Sequence, residues 1–156
     1  MIKADGHIFV LETAHTTYCF WRMETGHLEH LYYGRHLTLP EHPAERDVAP
    51  LMEKHTFAPG NTNLCDGEHP AFSLEDMRLE MSSYGKGDIR EPFVEIVHAD
   101  GSTTSDFRYE SYEITEKTAE TENGDLPGAY DEKGEAQRLS VRLRDHSYDL
   151  VLELHY

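Results

Sequence analysis

The chain has 156 residues, of which 38% are hydrophobic, enough to close the core of one domain. Its 30 acidic residues outnumber the 14 lysines and arginines and give a formal net charge of -16 at pH 7. Such a field repels phosphate backbones and anionic lipid headgroups. The charge therefore argues against nucleic-acid and membrane partners.

Three short segments near the amino terminus predict a meander of adjacent strands. Residues 7–13, 16–22 and 28–34 are rich in β-branched or aromatic residues and are separated by polar turns. Gly26 ends the turn between the second and third segments, where a tight hairpin needs a positive φ.

A long excursion without strand pattern follows, over about residues 38–87. Five prolines recur in it, and polar residues and glycine fill much of the space between them. Loops of this length inside a compact domain are uncommon and are usually functional or disordered. One short helix is expected at 73–77, with Ser73 as its cap and Asp76 three residues later.

Alternating apolar residues return in the second half of the chain. Residues 92–98 and 104–114 predict a hairpin turning at Asp100 and Gly101, and 138–144 predicts a strand that pairs with 148–156. The last predicted strand runs straight to Tyr156, with no closing turn. From this we expect a truncated domain whose final strand needs a neighbour to cover its edge.

Two cysteines, Cys19 and Cys65, stand apart and form no metal or disulfide motif. The first twenty residues also lack the pattern of a signal peptide. We therefore expect a cytoplasmic protein with reduced thiols.

Local motifs for catalysis or metal binding are weak. His27 and His30 have H-x-x-H spacing, but in a strand they point to opposite faces and cannot hold one ion without a bulge. Strand alternation places Tyr18 and Phe20 on one face and Trp21 on the other, which is typical of a sandwich core with one outward aromatic. An aromatic platform for a sugar is the alternative. We expect no catalytic residue, metal or cofactor in this chain.

Several motifs occur in a fixed order along the chain. They are G-x-L-x-H-x-Y-x-G (Gly26, Leu28, His30, Tyr32, Gly34), F-S-L-E (Phe72 to Glu75), S-Y-G-x-G-D-x-R-x-P (Ser83 to Pro92), D-x-R-Y (Asp106, Arg108, Tyr109), and L-P followed by a tyrosine (Leu126, Pro127, Tyr130). In order and spacing they resemble the amino-terminal domain of family 36 α-galactosidases, over nearly the whole chain.

The resemblance implies an all-β fold, an antiparallel β-sandwich of the supersandwich, galactose-mutarotase-like type. In the family this domain precedes a (β/α)₈ barrel, on which two aspartates carry out retaining hydrolysis of terminal α-galactosyl groups of melibiose or raffinose-type sugars. A barrel takes about 250 residues, so the catalytic barrel is absent from residues 1–156. The chain is expected to be a single sandwich domain, or part of one, and inactive alone.

The resemblance also implies partners and site residues. In bacterial members the domain helps to build a homotetramer, packs with its own barrel, and extends a long loop toward the active site of a neighbouring subunit. Glu53 is a loose match to an acidic residue of that loop, and His69 stands where the family pattern has an arginine. Both are candidate sugar contacts made in trans, although the departure at His69 argues against direct contact. Asp88 and Arg90 are expected to anchor the loop to the sandwich.

Two other functions remain open from the sequence. One is a free-standing carbohydrate-binding β-sandwich that uses Trp21 or the loop aromatics. The other is a module that serves oligomerisation alone. Titration with galactose or raffinose tests the first, and light scattering tests the second.

Overall fold

A computed structural model describes residues 1–52, 68, 73–74, 77–116 and 136–156. Within them, two antiparallel sheets lie face to face across a core. The first sheet has the order β1-β2-β3-β4. Its strands are β1 (Ile2–Ala4), β2 (Ile8–Glu12), β3 (Thr16–Arg22) and β4 (Leu28–Arg35).

The second sheet has the order β7-β8-β9. Its strands are β7 (Phe107–Glu116), β8 (Gln137–Asp145) and β9 (Leu150–His155). In β8 every second side chain is buried, as expected of a strand with one face on a core. Asp145 ends β8, and its Oδ1 accepts hydrogen bonds from the backbone N–H groups of Ser147 at 2.8 Å and Tyr148 at 3.3 Å.

Shorter elements connect the two sheets. They are the helix α1 (Glu45–Val48), a 3-10 turn (Ala49–Leu51), and the two-residue strands β5 (Ser83–Tyr84) and β6 (Gly87–Asp88).

The main core fills the space between the sheets. The rings of Phe9 and Phe20 stack at 4.7 Å between centroids, and they pack with Leu139 and Leu143 of the second sheet. These four side chains are almost wholly buried. Burial of each contributes about 1.5–3 kcal/mol to stability, so this contact is what holds the two sheets together.

The other face of the first sheet is buried as well. Ile8, Val10, Cys19 and Leu31 form a second cluster with Val48 of α1. Burial raises the pKa of the Cys19 thiol to about 12, so this thiol stays protonated at neutral pH and packs as an apolar group.

The structure confirms the amino-terminal meander and the β8–β9 hairpin. Gly26 has φ +85°, as its turn requires. The strand β1 was not predicted, because three residues give too short an alternation. The fold class, mostly β with antiparallel sheets and one short helix, is confirmed.

The predicted strand at 92–98 and the start of the predicted strand at 104–106 are wrong. The turn exists, since the His98 N–H donates to the carbonyl of Ser102 at 2.8 Å. Before it, however, only Val94 forms an isolated bridge, with Ser83. Val94 and Ile96 pack against the main core while the residues between them face outward. The alternation therefore reflects side-chain burial in a segment that has no partner strand among the described residues.

The described chain forms the helix α1, and Leu74 of the predicted helix at 73–77 has 3-10 conformation. Residues 75 and 76 of the predicted helix lie outside the described residues. Across them the Met77 N–H donates to the carbonyl of Leu74 at 3.2 Å. The excursion over 38–87 contains α1, β5 and the beginning of β6.

No helix among the described residues is long and apolar enough to cross a membrane.

Candidate functional site

The segment from Met77 to Asp106 joins the first sheet to β7, and we call it the connecting segment. It contains the glycine motif recognised in the sequence. Gly85 and Gly87 have φ +77° and +106°, which L side chains rarely adopt. A Cβ atom on Gly87 would also collide with Cδ1 of Leu79. The motif needs both glycines because both have a positive φ. At Gly87 the backbone also passes close to the side chain of Leu79.

Replacing Gly87 with alanine is expected to lower the free energy of unfolding by about 2 kcal/mol, from the unfavourable φ and the collision with Leu79. Gly101→Ala is the matched control, because Gly101 has φ +85° but nothing lies within 4 Å of its Cβ position. It should cost about 1 kcal/mol, the backbone part alone. Urea unfolding measures both, and equal losses would show that the contact with Leu79 does not matter.

Asp88 and Arg90 lie in one tight turn of the connecting segment. Oδ1 of Asp88 accepts hydrogen bonds from the backbone N–H of Arg90 at 2.7 Å and of Glu91 at 3.3 Å. These bonds lower the pKa of Asp88 below its usual value. Arg90 is exposed. The Asp88 carboxylate fixes the backbone of the turn, and the anchoring role of the pair stays a prediction.

Three large apolar side chains project from the same segment. Ile89, Phe93 and Val97 are 57%, 68% and 72% exposed. Val94 and Ile96, which lie between Phe93 and Val97 in the sequence, pack against the core. These two side chains attach the segment to the sandwich, while the three exposed ones face solvent. We call Ile89, Phe93 and Val97 the exposed ridge. Large exposed apolar side chains that follow one another along a segment are candidates for an interaction site.

A charged cluster fixes the far end of the connecting segment. Asp106 Oδ1 lies 2.8 Å from Nε2 of buried His27, and Oδ2 accepts from Arg108 at 3.0 Å and lies 3.8 Å from Nζ of Lys86. Burial would raise the pKa of Asp106, but the hydrogen bond and charge of His27, followed by Arg108 and Lys86, lower it to about 2. We call this cluster the Asp106 clasp, because it ties the hairpin before β4 to the beginning of β7.

A second buried carboxylate, Glu80, holds the other end of the segment. Its side chain is 4% exposed. Its Oε1 accepts the hydroxyls of Tyr18 at 2.5 Å and Tyr156 at 2.6 Å, and its Oε2 lies 3.4 Å from Nδ1 of His30. Burial, together with the neighbouring carboxylate, raises the pKa of both phenols. Glu80 thus links β3, β4 and the end of β9.

The aromatic residues behave as a core rather than as an open platform. Tyr18 and Phe20 face the main core, and Trp21 lies on the other face of the first sheet, as expected. Trp21 is half-buried, and its Nε1–H donates to Oε2 of buried Glu29 at 2.6 Å. The expectation of an outward aromatic at Trp21 is therefore wrong, because Glu29 and His7 cover the ring.

The other sequence candidates are placed as follows. His27 and His30 contact different carboxylates, Asp106 and Glu80, and the described part of the chain contains no group of three metal-binding side chains. Glu53 and His69 lie outside the described residues, so their roles stay predictions. Sequence reasoning noted Glu29 only as the acid between His27 and His30 and did not single out Glu80, since isolated acids in an acidic chain give no local signal.

Comparison with known proteins gives a consistent family. Residues 26–156 match the model of the glycosyl hydrolase family 36 N-terminal domain. The chain is 31% identical over 149 residues to the bifunctional α-galactosidase/sucrose kinase AgaSK of Mediterraneibacter gnavus, covering 96% of the chain and 15% of that protein. It is 30% identical to α-galactosidase AgaA of Geobacillus stearothermophilus, over 95% of the chain and 19% of the relative.

Solved structures agree with these matches. The α-galactosidase of Lactobacillus brevis superimposes with a TM-score of 0.76 at 29% identity, covering 96% of this chain and 19% of that one. A variant of Geobacillus stearothermophilus AgaA in complex with raffinose gives a TM-score of 0.77 at 26% identity, with 96% and 20% coverage. The chain thus spans about a fifth or less of the length of these relatives.

Proposed function

The chain belongs to the N-terminal domain family of glycosyl hydrolase family 36, and we propose that it serves an α-galactosidase as its non-catalytic amino-terminal domain. The parent enzyme would remove terminal α-galactosyl groups from sugars such as melibiose and raffinose. One observation carries this proposal: nearly all of the chain aligns with whole α-galactosidases while spanning about a fifth or less of their length. Most of such an enzyme, its barrel included, is then supplied by other residues.

The carboxylates inside the described fold support a non-catalytic role. Glu29 binds Trp21, Glu80 binds two tyrosines, and Asp106 binds His27 and Arg108. Retaining hydrolysis needs two carboxyl groups that face each other across a sugar, about 5–5.5 Å apart. The acids named here are instead used as acceptors that hold segments of the fold together.

The exposed ridge supports a role in assembly and at the rim of the active site. Ile89 lies in the Asp88 turn of the connecting segment, and Phe93 and Val97 follow it along the chain. In this proposal the ridge packs against the barrel or a neighbouring subunit of a homo-oligomer. The cytoplasmic location expected from the thiols and the amino-terminal residues is part of the same proposal.

A chimera tests this role. The aligned N-terminal part of AgaA is replaced by this chain, and a ridge variant carries Ile89→Ser, Phe93→Ser and Val97→Ser. We expect the parent chimera to hydrolyse raffinose, and the ridge variant to lose assembly by light scattering together with about tenfold of its activity, since a few central apolar residues dominate interfaces.

Glu95→Ser is the matched control, because Glu95 is exposed between Phe93 and Val97. It should leave assembly and activity unchanged. A ridge variant that assembles and turns over like the parent chimera would remove the ridge from the proposed interface.

A free-standing carbohydrate-binding module that uses Trp21 loses its main support, because that ring is half-buried against Glu29.

A further inference from the structure

A groove of about 370 Å³ crosses the outer face of the second sheet, on the side turned away from the main core. Its volume lies within the range of about 300–1,000 Å³ that is usual for small-molecule sites. The polar side chains along it come from all three strands of the sheet. They are Ser111 and Glu113 of β7, Ser140 and Arg142 of β8, and Glu153 of β9.

The strand register places these side chains opposite one another. Ser111 pairs with Arg142 and Glu113 pairs with Ser140 across β7 and β8, and Arg142 pairs with Glu153 across β8 and β9. Directly opposed side chains in antiparallel strands have Cβ atoms about 4.5–5.5 Å apart. Neighbouring groups of one small ligand can therefore reach several of them together.

A β-bulge fixes the guanidinium in the groove. The pairing of β7 with β8 shifts between Tyr109 and Ser111, which leaves Glu110 as the extra residue. The Glu110 carboxylate accepts from Nε of Arg142 at 2.7 Å, and Glu153 accepts from Nη1 at 3.4 Å. Arg142 is thus held in one orientation before any ligand arrives, which lowers the entropy cost of binding.

Two polar groups in the groove have no partner within the described part of the chain. They are the Glu113 carboxylate and the Ser111 hydroxyl, which are both exposed and form no hydrogen bond or ion pair to a described residue. Beside them, the Ser140 hydroxyl lies 3.0 Å from Nδ1 of His155. The groove therefore combines an ordered donor at Arg142, an unpaired acceptor at Glu113, and hydroxyls that can do either.

The charge of the groove restricts the class of ligand. Glu113 and Glu153 outnumber Arg142, and the whole chain carries a formal charge of -16, so anions are repelled. Apolar ligands would leave the charged side chains of the groove without hydrogen bonds. A neutral molecule with many hydroxyls can donate to the carboxylates and accept from the guanidinium simultaneously.

From this combination we propose that the groove binds a neutral saccharide. The choice of an α-galactoside as ligand rests on the proposed function, whereas the groove itself does not. Such a site would keep an oligosaccharide close to the enzyme.

The test is a titration of the 156-residue chain with raffinose, up to about 100 mM, followed by backbone amide chemical shifts. An open groove with few hydrogen bonds predicts a Kd of about 1–10 mM. The shifted amides should be those of Ser111, Glu113, Ser140 and Arg142. Glu113→Gln, which keeps the size of the side chain and removes its charge, should weaken binding about tenfold.

The matched control is Glu95→Gln, an exposed glutamate on the connecting segment, which should leave Kd unchanged. The spectrum of each variant without sugar shows whether the fold is intact. No shift at the groove amides, or shifts that Glu113→Gln leaves unchanged, would overturn the proposal. The titration needs no barrel, so its failure does not bear on the proposed function, and an inactive chimera does not bear on the groove. Shifts at the amides around Trp21 instead of the groove amides would overturn this proposal and support the carbohydrate-binding module.

Discussion

Asp106→Asn is expected to lower the free energy of unfolding at pH 7 by about 2–3 kcal/mol. Asp106 bonds His27 and Arg108 and lies beside Lys86, and the change leaves three polar or charged partners without their counter-charge. Removing one partner of a buried charge pair costs about 3–5 kcal/mol. The expected loss is smaller because the Asp106 side chain is 21% exposed to solvent.

Asp106 should also make the free energy of unfolding fall at acid pH. Its pKa is about 2 in the folded state and 3.8 for the free group. Because folding lowers the pKa, the stabilisation is complete above about pH 4 and is lost as the pH falls toward 2. The difference corresponds to about 2 kcal/mol. Urea unfolding at several pH values should show that the free energy of unfolding falls in acid for the native chain and falls less for Asp106→Asn.

Asp149→Asn is the control for Asp106. Asp149 also binds an arginine, Arg144, but its side chain is 87% exposed, and an exposed ion pair contributes less than about 1 kcal/mol. The control should unfold as the native chain does. If the urea midpoint of Asp106→Asn at pH 7 equals that of the native chain, the Asp106 clasp does not hold the connecting segment.

Glu80→Ala is expected to cost about 3 kcal/mol. The change leaves the largely buried hydroxyls of Tyr18 and Tyr156 without their acceptor, and each unpaired polar group costs about 1–3 kcal/mol. Glu80→Gln keeps an oxygen acceptor and should lose less. Urea unfolding of both variants gives the comparison.

A triple variant separates the hydrogen bonds from simple packing. Adding Tyr18→Phe and Tyr156→Phe to Glu80→Ala removes the hydroxyls that lost their acceptor, so part of the stability should return. No recovery would mean that Glu80 acts through the volume of its side chain. A loss below about 1 kcal/mol for Glu80→Ala itself would contradict a structural role for this carboxylate.

Local alternation predicted the strands well where a strand forms its backbone hydrogen bonds with the strand next to it in sequence. The strands β2, β3 and β4 follow one another through short turns, and β8 turns directly into β9. At 92–98 the alternation predicted a strand, and Val94 and Ile96 of this segment do pack against the core. It could not show that the backbone there has no partner strand among the described residues.

The contacts that organise the candidate site join residues far apart in the chain. His27 and Asp106 are 79 residues apart, and Glu80 and Tyr156 are 76 apart. A single sequence gives no sign of such pairs, because an aspartate or glutamate in an acidic chain looks the same whether it is buried or exposed. The glycine motif was visible, but its cause, the approach to Leu79, required the fold.

The proposal that this chain is the non-catalytic domain of an α-galactosidase is tested by incubating the purified 156-residue chain with a chromogenic α-galactoside over a range of pH. Release of the chromophore should be no faster than in buffer. Turnover that persists through purification and disappears on substitution of one of the chain's own carboxylates would contradict it.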